Sequence, residues 1–285
     1  MEASRSGAPA DGAATIAELY FLKPTDIKPV SYTFEPPPGA PRQSGEYEPL
    51  PTRIADARLI AAGASIDREG FELVEAPTLV EDFWNEEQMR AVYYPETERL
   101  LKQTLRARDV HIFDHTLRRR ALPGPLSFRR SVEALPREPV GRTHVDQTLD
   151  SGPRRLREIL GEAAERFSRR RFAIINVWRP LFGPVEDAPL AVCDARSVAA
   201  RDLVACDLIF RDRRGETYAL AYSPEQRWFY YPRMRRGEVL LLKCYDSRAD
   251  VARFSPHTAF DDPATPKDAR PRESIELRCF VAFDD

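Results

Sequence analysis

A mainly β fold with flanking helices is what this sequence predicts, on three observations. Between residues 172 and 283, short runs rich in Val, Ile, Leu, Phe, Tyr and Trp follow one another, broken by Gly and Pro turns. The last run alternates, with Arg272, Ser274, Glu276 and Arg278 on one face and Ile275, Leu277, Cys279, Val281 and Phe283 on the other, the pattern of a strand with one apolar side. His144-Val145-Asp146, whose outer residues share a strand face, is answered by His257 about 110 residues further on. Many short strands around a site-bearing core argue for a double-stranded β-helix, the cupin-like jelly roll.

The N-terminal elements are less regular. Residues 1–14, rich in Ala, Gly and Ser, predict a disordered tail, and Glu35-Pro36-Pro37-Pro38-Gly39 through Pro51 is too rich in proline for a core element. Residues 1–53 therefore read as a flexible tail and a proline-rich arm, and residues 54–285 as one jelly-roll domain. That domain opens on short strands at 57–59 and 70–74 and continues into helices over 80–92 and 96–105, with Pro95 suited to a first helical turn. His111-Ile112-Phe113-Asp114-His115 begins in an apolar strand and leads into a turn, its polar groups hydrogen-bonded there rather than forming a second metal set.

After Ser151-Gly152-Pro153, the apolar residues Leu156, Ile159, Leu160, Ala163, Ala164 and Phe167 recur at helical spacing, so a helix is inserted near 153–170 with one face on a sheet. Strands follow at 172–178, 190–192, 203–210, 217–222, 228–231, 238–244 and 273–283.

Composition narrows the class. With 42% apolar and 31% charged residues the chain reads as an ordinary soluble globular protein. A formal charge of −2 gives no basic field for nucleic acid, and the runs Arg118-Arg119-Arg120 and Arg169-Arg170-Arg171 read as solvated faces. No apolar stretch is long enough to span a bilayer. Cys193, Cys206, Cys244 and Cys279 are widely spaced, without a C-x-x-C pair or signal peptide, which predicts reduced thiols in a cytoplasmic protein.

The motif residues carry a specific chemistry. Two imidazoles and a carboxylate occupy one face of an octahedral ion and leave positions for a bidentate cosubstrate and for oxygen, as in mononuclear non-haem Fe(II) sites. His144, Asp146 and His257 are the candidate ligands. Downstream, a guanidinium fork and a hydroxyl at Arg272 and Ser274 suit a carboxylate gripped bidentately. Arg278 shares that clamp or neutralises Glu276.

The chain resembles the family containing the gibberellin desaturase of gibberellin-producing fungi and the cephamycin C7-hydroxylation component, a branch of the Fe(II)/2-oxoglutarate dioxygenases. The blocks that carry this are His111-Ile-Phe-Asp114-His115-Thr-Leu-Arg118, Thr143-His144-Val-Asp146-Gln147-Thr148, Ile175-Asn176-Val-Trp178-Arg179-Pro180, Lys243-Cys-Tyr245-Asp246-Ser247, Pro256-His257-Thr258-Ala-Phe260 and Pro271-Arg272-Glu-Ser274-Ile-Glu-Leu-Arg278. They span most of the chain from about residue 54. The resemblance implies Fe(II), 2-oxoglutarate as cosubstrate and O2. It also implies a small-molecule substrate that is hydroxylated, desaturated or cyclised in natural-product biosynthesis; the charge balance and the lack of a bilayer-spanning stretch add the expectation of no nucleic-acid or membrane partner.

Asn176 stays a cosubstrate candidate, although plant-type relatives carry an Asn-Tyr-Tyr-Pro strand before H-x-D and here Asn176-Val-Trp-Arg-Pro follows it. Trp178, Arg179, Tyr230 and Tyr231 are candidates for contact with the substrate. Two other readings use the same residues: a jelly-roll metalloenzyme without 2-oxoglutarate, in which Arg272 and Ser274 point away from the metal, and a noncatalytic binding protein on this fold.

Overall fold

In the computed structural model, which describes residues 14–121 and 136–284, the strands run in chain order as β1 (Ala14–Leu22), β2 (Val30–Tyr32), β3 (Tyr47–Asp56), β4 (Phe71–Glu75), β5 (Asp109–Arg119), β6 (His144–Val145), β7 (Phe172–Pro180), β8 (Leu190–Cys193), β9 (Leu203–Ile209), β10 (Arg214–Leu220), β11 (Trp228–Tyr230), β12 (Glu238–Asp246), β13 (His257–Ala259) and β14 (Glu273–Ala282). They form a nine-stranded sheet, β1-β3-β11-β8-β13-β6-β10-β9-β2, and a five-stranded sheet, β4-β12-β7-β14-β5. The sheets face each other, since Phe71, Trp178, Leu240 and Leu242 of the smaller pack with Ala55, Val192 and Phe229 of the larger. This is the jelly-roll core that the strand pattern predicts.

The smaller sheet is amphipathic in the way the alternation of β14 requires. Ile275, Leu277, Cys279 and Val281 pack outward with Ile175, Val177, Val239 and Leu241 under a helical layer that supplies Met89, Tyr93 and Leu101. Burying each such side chain contributes about 1.5–3 kcal/mol, so this layer holds the sheet flat against the helices. The inward positions of the same strands carry Asn176, Trp178, Ser274, Glu276 and Arg278, and Cα pairing aligns them: Leu242–Asn176–Arg278 in one row, Leu240–Trp178–Glu276 in the next.

Several expectations are corrected. The arm expected over 1–53 contains three strands, with 23–29 and 33–46 outside them: β1 pairs antiparallel along β3, β2 pairs in parallel with β9, and β3 pairs in parallel with β11. Pro49 and Pro51 lack N–H groups, but β11 reaches β3 only at Ile54, Ala55 and Asp56, so the prolines face an edge without a partner strand. The tail over residues 1–13 lies outside the described residues.

Residues 57–59 form a 3-10 turn, not a strand, because the Asp56 carboxylate accepts from the Arg58 amide at 2.8 Å. The first helix begins later than residue 80. Asn85 caps it by accepting from Glu87 and Gln88, and α1 (Glu86–Gln88) runs through one π turn, Met89–Tyr93, directly into α2 (Tyr94–Leu105). The wide turn admits Pro95, which has no amide to donate.

The segment from His111 does not turn at Asp114; β5 continues to Arg119, with a register shift opposite Arg278 and Cys279. The helix expected near 153–170 is split at Gly161, whose φ of 54° favours glycine, into α3 (Ser151–Leu160) and α4 (Ala163–Phe167). Both close one end of the barrel through Leu156 and Ala164 on Phe172, Ile174 and Phe280.

The arginine runs are not uniformly solvated. Arg120 is buried against Asp187 and Asp261, and Arg171 against Asp246 and Asp67. All four cysteines are free and buried. Among the described residues, no helix is long and apolar enough to cross a membrane.

Candidate active site

Strand register brings the distant motifs together. His257 on β13 is the direct cross-strand neighbour of His144 on β6, and Ala55, Phe229, Val192, His257, His144 and Ala219 are successive Cα partners across the larger sheet. Residues paired in this way share a face. The two imidazole rings are 4.5 Å apart between centroids. With Asp146, two residues beyond His144, they present one ligand atom each, all within 4.8 Å of one another.

The hydrogen bonds fix which atoms are free. The Nδ1 of His144 lies 2.7 Å from the Arg142 carbonyl, and that of His257 lies 3.0 Å from the Ser255 carbonyl. A carbonyl only accepts, so each Nδ1 carries the proton and each Nε2 keeps its lone pair for a metal. His144 Nε2 is 3.5 Å from Asp146 Oδ1. The other oxygen, Oδ2, accepts from Asn176 Nδ2 at 2.7 Å and from Arg278 Nε at 3.4 Å.

Charge follows the same layout. Burial pushes the Asp146 carboxyl up, but its contact with His144 and the charge of Arg278 outweigh it and hold it well below the usual carboxylate range. Burial, then the neighbouring His144, lowers His257, which favours a neutral imidazole. An anionic carboxylate and two imidazoles with free Nε2 atoms form a donor set that fits Fe(II).

A second polar site lies on the same inner wall. Arg272 and Ser274 are each 1% exposed. Arg272 donates through Nη1 to the Ala188 carbonyl at 2.6 Å and its backbone amide donates to Asp187 at 3.0 Å, while its guanidinium carbon is 5.7 Å from the Trp178 ring centroid. Arg272 Nε and Ser274 Oγ are buried with no hydrogen-bond partner among the described residues. Burial and then the charge of Arg118 pull the Arg272 guanidinium down to about 9. A buried cation short of acceptors beside an unbonded hydroxyl fits a carboxylate ligand. Inward positions along β14 recur every second residue, about 7 Å apart, so Arg278 lies at the metal-ligand end of this wall and Ser274 at the other.

The remaining candidates separate. Asn176 and Arg278 meet Asp146, and Arg278 also bonds Glu276 at 2.5 Å and Thr116 at 2.9 Å, so it neutralises Glu276 rather than joining Arg272. Trp178 is in the core between the sheets, beneath Arg272. The expected substrate contact through Arg179 is corrected: its side chain leaves the opposite face of β7 and donates to Tyr93 Oη, Arg236 O and Ala76 O.

Tyr230 and Tyr231 are corrected too. Tyr230 packs edge-on to Phe260 in the cluster beneath β1, and Tyr231 packs on Phe71 under Arg58. His115 bonds Tyr94 Oη at 2.8 Å and approaches Glu86, while His111 stacks towards Phe280; they form no metal cluster with Asp114 among the described residues.

A cleft of about 270 Å³ leads to His144 and Asp146 between β5, the β9–β10 hairpin and α3. Its walls include Arg118, Arg142 and Arg213, which sequence reasoning did not single out. They come from separate elements with no shared spacing; Arg118 alone falls within a motif, the block that begins at His111.

Comparison with known proteins agrees with this geometry. The family model described as an oxidoreductase/YMDC permease-like domain matches residues 19–282. The chain is 34% identical over 258 residues to hydroxylase/desaturase efuI of Hormonema carpetanum, covering 84% of this chain and 86% of that protein. It is 31% identical over 274 residues to the Fe(II)/2-oxoglutarate-dependent dioxygenase nvfI of Aspergillus novofumigatus, covering 93% and 95%. A solved structure of the iron and alpha-ketoglutarate-dependent endoperoxidase NvfI superposes with a TM-score of 0.81 at 29% identity, over 95% of this chain and 98% of that one. A barrel carrying this donor set, matched over nearly its whole length, belongs to the Fe(II)/2-oxoglutarate-dependent dioxygenase family that includes these fungal hydroxylase/desaturases.

Proposed function

We propose that His144, Asp146 and His257 hold Fe(II), that Arg272 and Ser274 hold the far carboxylate of 2-oxoglutarate, and that the chain oxidises a small natural-product intermediate at the floor of the cleft. The observation that carries this is the unsatisfied pair in the barrel wall, Arg272 Nε and Ser274 Oγ, on the same inner face as the residues that hold Asp146. A metalloenzyme without this cosubstrate, or a binding protein, has no use for a buried guanidinium short of acceptors, which costs stability unless a ligand fills it.

Bound iron and 2-oxoglutarate supply, with O2, an oxidant strong enough to take hydrogen from an unactivated carbon, leaving succinate and CO2. The chain's own residues do the positioning. The Arg142 and Ser255 carbonyls orient the two imidazoles, Asn176 and Arg278 hold one oxygen of Asp146, and Arg272 with Ser274 sets the direction of the cosubstrate against Trp178. Whether oxygen insertion, desaturation or ring closure follows depends on where the substrate is held.

The motif blocks support a finer reading, the branch with the gibberellin desaturase and the cephamycin C7-hydroxylation component, and four free, buried thiols support a cytoplasmic location. The test of the site is anaerobic titration of Fe(II)-loaded protein with 2-oxoglutarate. A weak visible charge-transfer band is expected on chelation, and both His144→Ala and His257→Ala are expected to lose iron while staying folded. Iron-loaded protein that gives no band would remove the cosubstrate assignment.

A further inference from the structure

The cleft above the metal ligands has a charge unlike the rest of the chain. Overall, 43 Lys and Arg are set against 45 Asp and Glu. Eight arginines but only five carboxylates line the cleft. Most of those carboxylates are engaged: Asp146 and Asp114 with Arg278, Glu158 with Arg154 and Arg155, and Glu216 with Lys28. No carboxylate among the described residues lies within ion-pair distance of Arg142 or Arg213.

These two cations are held by aromatic rings. The Arg142 guanidinium sits 5.1 Å from the Tyr47 ring centroid and that of Arg213 sits 3.6 Å from the Phe210 centroid. A ring face orients a guanidinium without neutralising it or using up its N–H donors. Burial, then the charge of Arg155, lowers the pKa of half-buried Arg213 against the opposing charges of Glu158, Asp212 and Asp114. Arg142 is also tied to the metal ligands, because its carbonyl takes the His144 Nδ1–H. Leu208, Phe113 and Tyr218 add apolar wall. The excess charge does not belong to the cosubstrate pocket, for neither Arg272 nor Ser274 lines this cleft.

We propose that the substrate is an apolar molecule carrying a carboxylate, and that Arg142 and Arg213 on the cleft walls dock that carboxylate so that the apolar body lies over His144 and Asp146. This rests on the reading of the site as the place of oxidation. The carboxylate sets orientation, and only carbons at a fixed reach from it meet the metal. A neutral molecule of the same shape leaves both guanidiniums desolvated and unpaired.

The test compares 2-naphthoate with its neutral isostere 2-naphthamide by anaerobic calorimetry on protein loaded with Fe(II) and 2-oxoglutarate, which keeps the metal and Arg272 engaged. Naphthoate is expected to bind about tenfold tighter or more, as charge-assisted hydrogen bonds require. The preference should fall to about twofold or less in the Arg142→Gln, Arg213→Gln double variant and persist when both are Lys. If the Gln variant does not fold, the wild-type preference must still shrink as salt is raised from 0.05 to 0.5 M, on the order of a Debye-screening change. Equal affinity for the two probes, or a preference untouched by salt and by both Gln changes, overturns the proposal. The visible band of the iron complex is read separately, so its absence would sink the assignment of the site while the same two probes, titrated into metal-free protein, still judge the docking arginines.

Discussion

Arg179 and Arg272 are both almost fully buried on neighbouring strands, at 2% and 1% exposure, yet their surroundings differ in kind. Arg179 points out of the barrel beneath the helical layer, where Tyr93 Oη takes Nε at 3.0 Å and two carbonyls take the terminal nitrogens at 2.6 Å. Arg272 lies on the inner side, with one nitrogen on the Ala188 carbonyl and Nε without a partner among the described residues. A saturated buried guanidinium is a fastener between elements. An unsaturated one suits the proposed carboxylate site, because a ligand that accepts from it offsets its desolvation cost.

The contrast is broken or sharpened most directly by making the same change twice. Arg179→Met should cost about 3–5 kcal/mol of stability, since Tyr93 Oη and the carbonyls of Ala76 and Arg236 lose their donor in a dry layer; chemical denaturation measures it. Its affinity for 2-oxoglutarate should stay near that of the wild type. Arg272→Met should do the reverse, weakening 2-oxoglutarate about 100-fold, equivalent to about 2.7 kcal/mol, with little loss of stability. If Arg272→Met unfolded the protein and left cosubstrate affinity intact, both arginines would be fasteners and the barrel wall would hold no carboxylate site.

A ligand experiment probes the same difference without mutation. With iron present, 2-oxoglutarate at about 100 times its dissociation constant should stabilise the wild type by about 2.7 kcal/mol. Thermal unfolding should show that gain in Arg179→Met as well, after allowing for its lower starting point. It should fall to about 0.4 kcal/mol in Arg272→Met, whose dissociation constant is then about equal to the ligand concentration, and be lost in any variant once a chelator removes the iron, because one end of the cosubstrate depends on each site.

Parity along the strands explains why part of this was legible in the sequence. His144 and Asp146 are two apart, and so are Arg272 and Ser274, so each pair shares a face in any strand; the structure brings His144 and Asp146 into one cluster and leaves Arg272 Nε and Ser274 Oγ both buried without a partner among the described residues. The same rule separates Arg179 from Asn176 and Trp178, an odd step along β7, and applying it would have removed Arg179 from the substrate contacts.

Parity has limits. It separates Tyr230 from Tyr231 but does not say which face is inward, and here neither reaches the cleft because β11 lies between β3 and β8, away from β10. Nor does local sequence reveal that Pro49 and Pro51 fall along an edge unpaired by β11, so a strand looked like an arm. The docking arginines come from the approach to β6 and the β9–β10 turn, and only the fold brings them to one cleft.

Asn176 tests whether the inner wall is tuned more finely than by its two charged sites. Its Nδ2 holds Asp146 Oδ2 at 2.7 Å, while Arg278 reaches that oxygen only at 3.4 Å. Removing the shorter bond by Asn176→Ala leaves the carboxylate free to rotate and offer both oxygens to the metal. The outer partners of a metal ligand are typically worth 10- to 100-fold in affinity. With Arg278 still in place, the expected weakening of iron is near the low end, about tenfold, with 2-oxoglutarate affinity of the iron-loaded variant nearly unchanged. Competitive chelation measures the first and the visible band the second. Asn176→Asp should be worse than Ala, because it sets a carboxylate against a carboxylate where the wild type sets a donor. Equal iron affinity in all three proteins would mean that Arg278 alone orients Asp146.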